Sequence, residues 1–372
     1  MHVGFRGLAS LIMPWFYDPR RTYEDNYALG PFGGFGDVAA ARPDGPPRES
    51  FAGEAVYSAF GIPAGPLVNA AFCAAAFRAG FDVNVYKTVR TRTHPVHPFP
   101  HTLAVHVDGD LTPERAARPL LADDALDEAT SISNSFGVPS RDPDAWQADM
   151  AAAVAAAGPG QLLVGSFQGT RPDADAGDRD GAYLADHVAA ARLVRETGAR
   201  ALELNLSCPN EGTGALLCFD TPAVTRIVAA VKEEIGDLPL YVKLAHFRDD
   251  AALAGLVRAT APYVAGYAAI NTIPARLVDA DGRQALPGEG RAVAGVCGDA
   301  IRWAGLDMVE RLARLREDVS SAFEIVGVGG VLTADHARAY RAVGADAVMS
   351  ATGAMLDPGL GAAVRGSTAP VA

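Results

Sequence analysis

The chain has 372 residues, of which 49% are hydrophobic and 20% charged; these are ordinary proportions for a protein with a real core, and length alone leaves one large domain or two medium ones open. A formal charge of −12 argues against nucleic acid, whose phosphates ask for a basic face, and against an anionic membrane surface. The four cysteines, Cys73, Cys208, Cys218 and Cys297, form no CxxC pair, which speaks against an iron–sulfur cluster, a structural zinc site or a disulfide framework and for free thiols in a reducing cytosol.

Residues 1–55 are rich in Gly, Pro, Tyr and Phe and read as an irregular extension. Within it Leu8–Phe16 is apolar, but it is too short to span a bilayer and is broken by Pro14. No signal-peptide plan is visible either, so packing against the following domain is expected. From about residue 60, short apolar runs alternate with longer helical patterns. The runs of strand character are Pro66–Ala70, Val83–Thr88, Ser131–Phe136, Leu162–Phe167, Ala201–Leu206, Leu240–Leu244, Tyr267–Asn271, Ile325–Val328 and Ala347–Ser350. Several are nearly continuous in apolar residues, as strands buried on both faces should be.

The helices between them carry their own ends. Asp144 is placed at the start of Ala145–Ala157, and Tyr183–Glu196 reads as another helix. Thr221-Pro222 supplies an N-cap and a first-turn proline for a helix closed by Gly236, and Thr333 caps Ala334–Val343 ahead of Gly344. Such βα alternation over some 300 residues means a parallel sheet with helices outside. The G-x-G-x-x-G fingerprint of a doubly wound sheet is missing after the first strand. Eight or nine strands fit a (β/α)8 barrel better, with Ser131–Phe136 or a nearby hairpin as decoration. The expected organisation is an extension over 1–55 and one α/β barrel domain over 56–372. Pro274–Ala294 interrupts the sixth βα connection, where insertions often form lids.

Functional groups of such barrels project from the C-terminal ends of the strands. Those positions hold Lys87-Thr88, Asn134 followed by Ser135-Phe136-Gly137-Val138, Asn205-Leu206-Ser207-Cys208-Pro209-Asn210, Lys243, and Asn271-Thr272. No carboxylate or histidine stands among them, so paired-acid hydrolysis and a Ser-His-Asp triad are poorly supported. Asparagine offers a donor and an acceptor, matching the edge of a cyclic amide, and the lysines supply charge for a carboxylate or an electron-rich ring. After the last two strands stand Gly327-Val328-Gly329-Gly330 and Ala351-Thr352-Gly353. Small residues there, next to a helix N-terminus, form the usual phosphate cradle of these barrels. A phosphate site beside lysines and asparagines suggests FMN.

The run Asn205-Leu206-Ser207-Cys208-Pro209-Asn210 resembles the signature loop of class 1 dihydroorotate dehydrogenases, and is similar to the corresponding loop in the barrel half of dihydropyrimidine dehydrogenase. The likeness extends from about Gly61 to Gly361. It implies Cys208 as the catalytic base, removing a proton α to a carbonyl while hydride leaves the adjacent carbon for flavin N5. It implies substrate contacts from Lys87, Asn134, Gly137, Val138, Asn205, Asn210, Asn271 and Thr272. It also implies FMN contacts from Ala70, Ala71, Lys87, Thr88, Ser166, Asn205, Lys243, Gly298, Gly329, Gly330, Ala351 and Thr352, with Lys243 beside the flavin's pyrimidine end.

The chain departs from the family pattern in several places. Ser166 stands where an asparagine is usual, Ala71 replaces a serine, Ala351-Thr352-Gly353 replaces Gly-Thr-Ala, and the motif Val242-Lys243-Leu244-Ala245-His246 lacks the common prolines. His246 reads as a loop histidine or a contact to an unusual substrate. His94, His97 and His101 alternate with Pro95, Pro98 and Pro100, a pattern of an extended loop, and no metal is expected. The reading is thus oxidation of (S)-dihydroorotate to orotate by a homodimer, with fumarate or another small oxidant as second substrate, since NAD would need a partner subunit. Two rivals are the same flavin chemistry on another cyclic amide or enone-like compound, and a phosphate-binding barrel without catalysis.

Overall fold

The computed structural model describes residues 15–35, 43, 45–172, 177–207, 216–319 and 321–367. Eight short, almost wholly buried strands close into a ring: β1 (Phe60–Ile62), β2 (Val83–Val85), β3 (Leu162–Phe167), β4 (Ala201–Asn205), β5 (Leu240–Leu244), β6 (Gly266–Ala269), β7 (Glu324–Val328) and β8 (Ala347–Met349). Each pairs in parallel with the next, and β8 returns to β1. The outer layer is α1 (Ala70–Arg78), α2 (Pro143–Ala156), α3 (Arg179–Glu196), α4 (Thr221–Ile235), α5 (Asp250–Thr260), α6 (Arg302–Asp318), α7 (Ala334–Ala342) and α8 (Leu360–Ser367). The chain is therefore a (β/α)8 barrel.

Alternation along the strands divides the apolar residues into two shells. Val83, Val85, Leu162, Val164, Ala201, Tyr241, Ala268, Val326, Val328, Ala347 and Met349 fill the interior. Their neighbours, such as Leu163, Leu202, Leu204, Val242 and Leu244, pack among the buried faces of the helices. A hairpin of Glu49–Phe51 and Glu54–Val56 belongs to the interior shell. Phe51 stacks on Tyr241 with ring centroids 4.9 Å apart, and the Ala52 amide donates to Glu324 Oε2 at 3.1 Å. Glu324 opens β7, so the hairpin plugs the N-terminal end.

Some boundaries move from their sequence expectation. The first stave is Phe60–Ile62, and Pro66–Ala70 is not a strand. Pro63, Gly65 and Pro66 end extended pairing early, and the Asn69 side chain accepts from the Phe72 amide and caps α1, so the alanine-rich run obeys helix propensity. Asp142, not Asp144, caps α2, and Asp220, one residue before Thr221, caps α4. Thr333 caps α7, and Gly236 and Gly344 close their helices with positive φ.

A second sheet arises from the connections after β2 and β6. The strands Ala104–Val105, Leu120–Asp123, Ser131–Asn134, Ile273–Val278 and Val293–Gly298 close into a small five-stranded barrel. Ser131–Asn134 is thus decoration, as its position in the alternation suggests. Arg291 locks the two connections together. It is buried, and its guanidinium donates to Ser135 Oγ at 3.1 Å, to the Ser135 carbonyl at 3.1 Å, and to the carbonyls of Pro98 and Pro100 at 2.6 and 3.0 Å.

Of the N-terminal run, residues 8–14 lie outside the described residues, while Trp15 and Phe16 are fully buried. The Phe16 amide donates to the Met355 carbonyl at 2.8 Å, and its ring meets Phe35 and Phe72 at 4.1 and 4.9 Å. A two-turn helix, Tyr23–Leu29, follows.

Candidate active site

The C-terminal ends of the staves and the connections that follow them enclose a cavity of about 1060 Å3, open solvent at its mouth included. Local alternation explains which residues reach it. Asn205 and Glu203, two apart on β4, point the same way, as does Lys243 on β5. Lys87 and Thr88 follow β2, Asn271 and Thr272 follow β6, Ala351 and Thr352 follow β8, and Asn134 ends its strand in the second sheet; all line the cavity.

The polar groups hold one another in place. Asn205 Nδ2 donates to Gln168 Oε1 at 2.7 Å, which leaves Asn205 Oδ1 to accept from the Ser207 amide and hydroxyl, both at 3.3 Å. Asn271 Nδ2 reaches Ser207 Oγ at 3.1 Å and the Ser207 carbonyl at 3.3 Å. Thr88 Oγ1 and Ser166 Oγ lie 3.0 Å apart, and Ser166 Oγ donates to Glu203 Oε1 at 3.3 Å. Lys87 and Lys243 are both buried, so neither is a surface lysine. Burial holds the Lys243 ammonium below the ordinary lysine range, and the Glu203 carboxylate opposes that fall. Among the described residues the buried Thr272 hydroxyl has no hydrogen-bond partner, which leaves a donor and an acceptor facing the cavity.

Not every expected residue reaches the lining. Ala70 and Ala71 sit on the first turn of α1, with the Ala70 amide bonded to Asp149 at 2.7 Å. Because the first stave ends eight residues earlier, Pro63, Ala64, Gly65 and Pro66 occupy the positions expected of them. Ser166 is fully buried behind the wall, engaged by Thr88 and Glu203. Gly137 stays behind Phe136 and Val138, which do line the cavity. Gly137 has φ +81° and Val138 φ +53°, a costly conformation for a β-branched residue. Gly298, Gly329 and Gly330 stand just outside the lining, with φ of +96°, +130° and +64°. Cys208 and Asn210 lie outside the described residues.

Other residues reach the cavity unannounced. Glu203 was legible from its period-2 relation to Asn205. Cys297 lies on the insertion's returning strand, its thiol donating to the Ile132 carbonyl at 3.4 Å and pushed up to about 11 by burial. Tyr17, from the N-terminal extension, left no local signal. His246 turns away instead. It meets Asp307 at 3.1 Å, and its ring lies 5.1 Å from Trp303, in a neighbouring groove that among the described residues shares only Thr272 with the main cavity. Among the described residues no group of three His, Cys, Asp or Glu side chains is placed to hold a metal, and no helix is long and apolar enough to cross a membrane.

A (β/α)8 barrel whose catalytic-face cavity gathers buried lysines and amides beside a glycine-lined turn defines a small-molecule enzyme. The family model for dihydroorotate dehydrogenase matches residues 125–361. A dihydroorotate dehydrogenase of Dictyostelium discoideum is 32% identical over 92% of this chain and 94% of its own length. Catalytic subunits named dihydroorotate dehydrogenase B (NAD(+)) are similar over shorter stretches. That of Desulforudis audaxviator is 33% identical over 47% of this chain and 54% of its own, and that of Staphylococcus carnosus 29% over 49% and 55%. The chain belongs to the dihydroorotate dehydrogenase family, oxidoreductases acting on CH–CH donors.

Proposed function

We propose that this protein oxidises (S)-dihydroorotate to orotate with FMN, using Cys208 as the base. The observation that carries this reading is the convergence of Lys87, Asn134, Asn205, Lys243, Asn271 and Thr272 on one cavity. Their donors and acceptors suit a flat, anionic cyclic amide.

The residues present fit FMN. At the turn after β7, a Cβ on Gly330 would lie 2.9 Å from the Gly298 carbonyl oxygen and 2.6 Å from Arg302 Cβ. Backbone is therefore packed there without room for side chains, as a phosphate cradle requires. Gly329, Gly330, Ala351 and Thr352 would hold the phosphate, Thr88 and Asn205 the ring, and Lys243 its pyrimidine end; Pro63–Pro66 take the part once expected of Ala70 and Ala71. Bound flavin supplies the acceptor for the hydride, at N5.

The chain's own groups do the rest. Lys87, Asn134, Asn271 and Thr272 orient the substrate, and Phe136 and Val138 exclude water from it. Cys208 Sγ takes the proton from the carbon next to the carbonyl; a thiol of pKa roughly 8.5 leaves some thiolate near neutrality. The buried Lys243 ammonium stabilises negative charge at its end of the cavity.

Anaerobic mixing of FMN-loaded protein with dihydroorotate and, in parallel, dihydrouracil tests the proposal. Bleaching with release of orotate is expected. Bleaching by dihydrouracil alone moves the substrate to another cyclic amide, and protein that stays colourless with added FMN removes the flavin chemistry. Cys208→Ala should stay yellow and reduce its flavin far more slowly; unchanged reduction eliminates Cys208 as the base.

A further inference from the structure

Among the described residues the cavity wall carries one carboxylate, that of Glu203. It is 3% exposed, and an ionised carboxylate taken that far from water needs a hydrogen-bond donor and a counter-charge.

Both are at hand. Ser166 stands beside Glu203 in the β3–β4 register, and its hydroxyl donates to Glu203 Oε1 at 3.3 Å. With its proton committed there, Ser166 Oγ accepts from the Thr88 hydroxyl across the 3.0 Å between them. On the other side, the β4–β5 register sets Lys243 beside Asn205 and Tyr241 beside Glu203. Lys243 therefore lies one stave across and two residues along from Glu203, an α-carbon separation of about 8 Å. Both side chains face the cavity, and together they are long enough to span that gap. Burial disfavours the Lys243 ammonium, and Glu203 is the group that opposes this. The other titratable groups on the described wall are Lys87, the Tyr17 phenol and the Cys297 thiol. Burial raises the last two, so neither adds negative charge near neutrality.

We propose that Glu203 is a positioning residue: tethered by Ser166, its carboxylate is the counter-charge that keeps the buried Lys243 ammonium charged while leaving its donors to a ligand in the cavity. A carboxylate in direct contact would occupy those donors, whereas one set diagonally below balances the charge and leaves them open. The inference deepens the flavin reading, which puts the flavin's pyrimidine end at Lys243.

Glu203→Gln removes the charge and keeps the shape, and Lys243→Met removes the ammonium and keeps most of the stem. Urea unfolding of the flavin-free parent, the two single variants and the double variant forms a cycle. The double variant should lose less than the two single losses together, because each single change strands one charge. The loss in Glu203→Gln should also shrink as pH rises from about 7 towards 10. A lysine whose folded pKa is lowered costs stability while it is charged, and that cost goes as the proton leaves. FMN titration, followed by quenching of flavin fluorescence, reads the consequence for binding. The affinity of Glu203→Gln should fall roughly fivefold, the difference between a charged and a neutral donor, at a lower pH than in the parent. Lys243→Met should show no such fall. Additive losses in the cycle overturn the inference, and so does an FMN profile that Glu203→Gln leaves unmoved. A parent protein that binds no FMN sinks the flavin reading instead, while the cycle on flavin-free protein still decides the pairing.

Discussion

Gly330→Ala is the sharpest test of the cradle, because its cost can be worked from geometry and compared with an internal control. Gly330 has φ +64°, and an added Cβ would stand 2.6 Å from Arg302 Cβ and 2.9 Å from both Arg302 Cα and the Gly298 carbonyl oxygen. None of these atoms is the free end of a flexible side chain. Gly236 has nearly the same φ, +63°, with nothing within 4 Å of the added atom. With ψ −128° Gly236 lies outside the left-handed helical well, and such sparsely populated backbone costs a residue with a Cβ about 1–3 kcal/mol, which is all Gly236→Ala should lose. Gly330→Ala carries the cost of its own positive φ and adds overpacking of about 1–3 kcal/mol, for a total of about 2–6 kcal/mol. Urea unfolding of the flavin-free proteins measures both losses, and FMN titration of the same samples measures the functional one. Gly236→Ala should bind FMN as the parent does, while Gly330→Ala should bind it at least about tenfold more weakly, the equivalent of about 1.4 kcal/mol. Equal stability losses in the two variants, with equal FMN affinity, would refute the argument that crowded backbone after β7 forms the cradle.

Two further predictions concern the scaffold. Asp82, fully buried against Arg365 at 2.6 and 3.0 Å, is pushed up to about 6 by burial, with Arg365 pulling the other way. A raised carboxylate pKa contributes stability that is fully present below about pH 4 and lost as pH rises through about 6, roughly 3 kcal/mol in all. The stability difference between parent and Asp82→Asn, followed by urea unfolding from pH 4 to 8, should therefore move against the parent across that window; a flat difference contradicts the assignment. Arg291→Lys keeps the charge but loses the planar fork that joins the insertion to the second connection. It should cost at least about 2 kcal/mol and accelerate amide exchange in residues 131–136, and unchanged exchange there would show that the guanidinium is not the clamp.

Much of this molecule was legible from local pattern. Buried parallel strands write themselves as apolar runs, as Leu162–Phe167 and Leu240–Leu244 do, and helix ends as Thr333 or Gly236, because both signals depend only on neighbours in the chain. The same holds for Asn205, Lys243, Asn271 and Thr272. A residue at the C-terminal end of a barrel stave faces the cavity whatever its partners are, so finding the staves finds the site. The first stave was less legible: Pro66–Ala70 reads as a strand, but the prolines and the Asn69 cap turn the chain into α1, and the strand is Phe60–Ile62.

What no local pattern could decide was which distant segments meet. Ser166 was engaged by Thr88 and Glu203 from neighbouring staves and so withdrawn behind the wall. Arg291 found its partners more than 150 residues away, and Tyr17 reached the cavity only because Phe16, Phe72 and Met355 fix its backbone there. Strand and helix identity is set by short-range sterics and periodicity, which a sequence carries openly. The occupant of a gap between segments is set by closure of the barrel and by packing around it, and these exist only once the chain has folded.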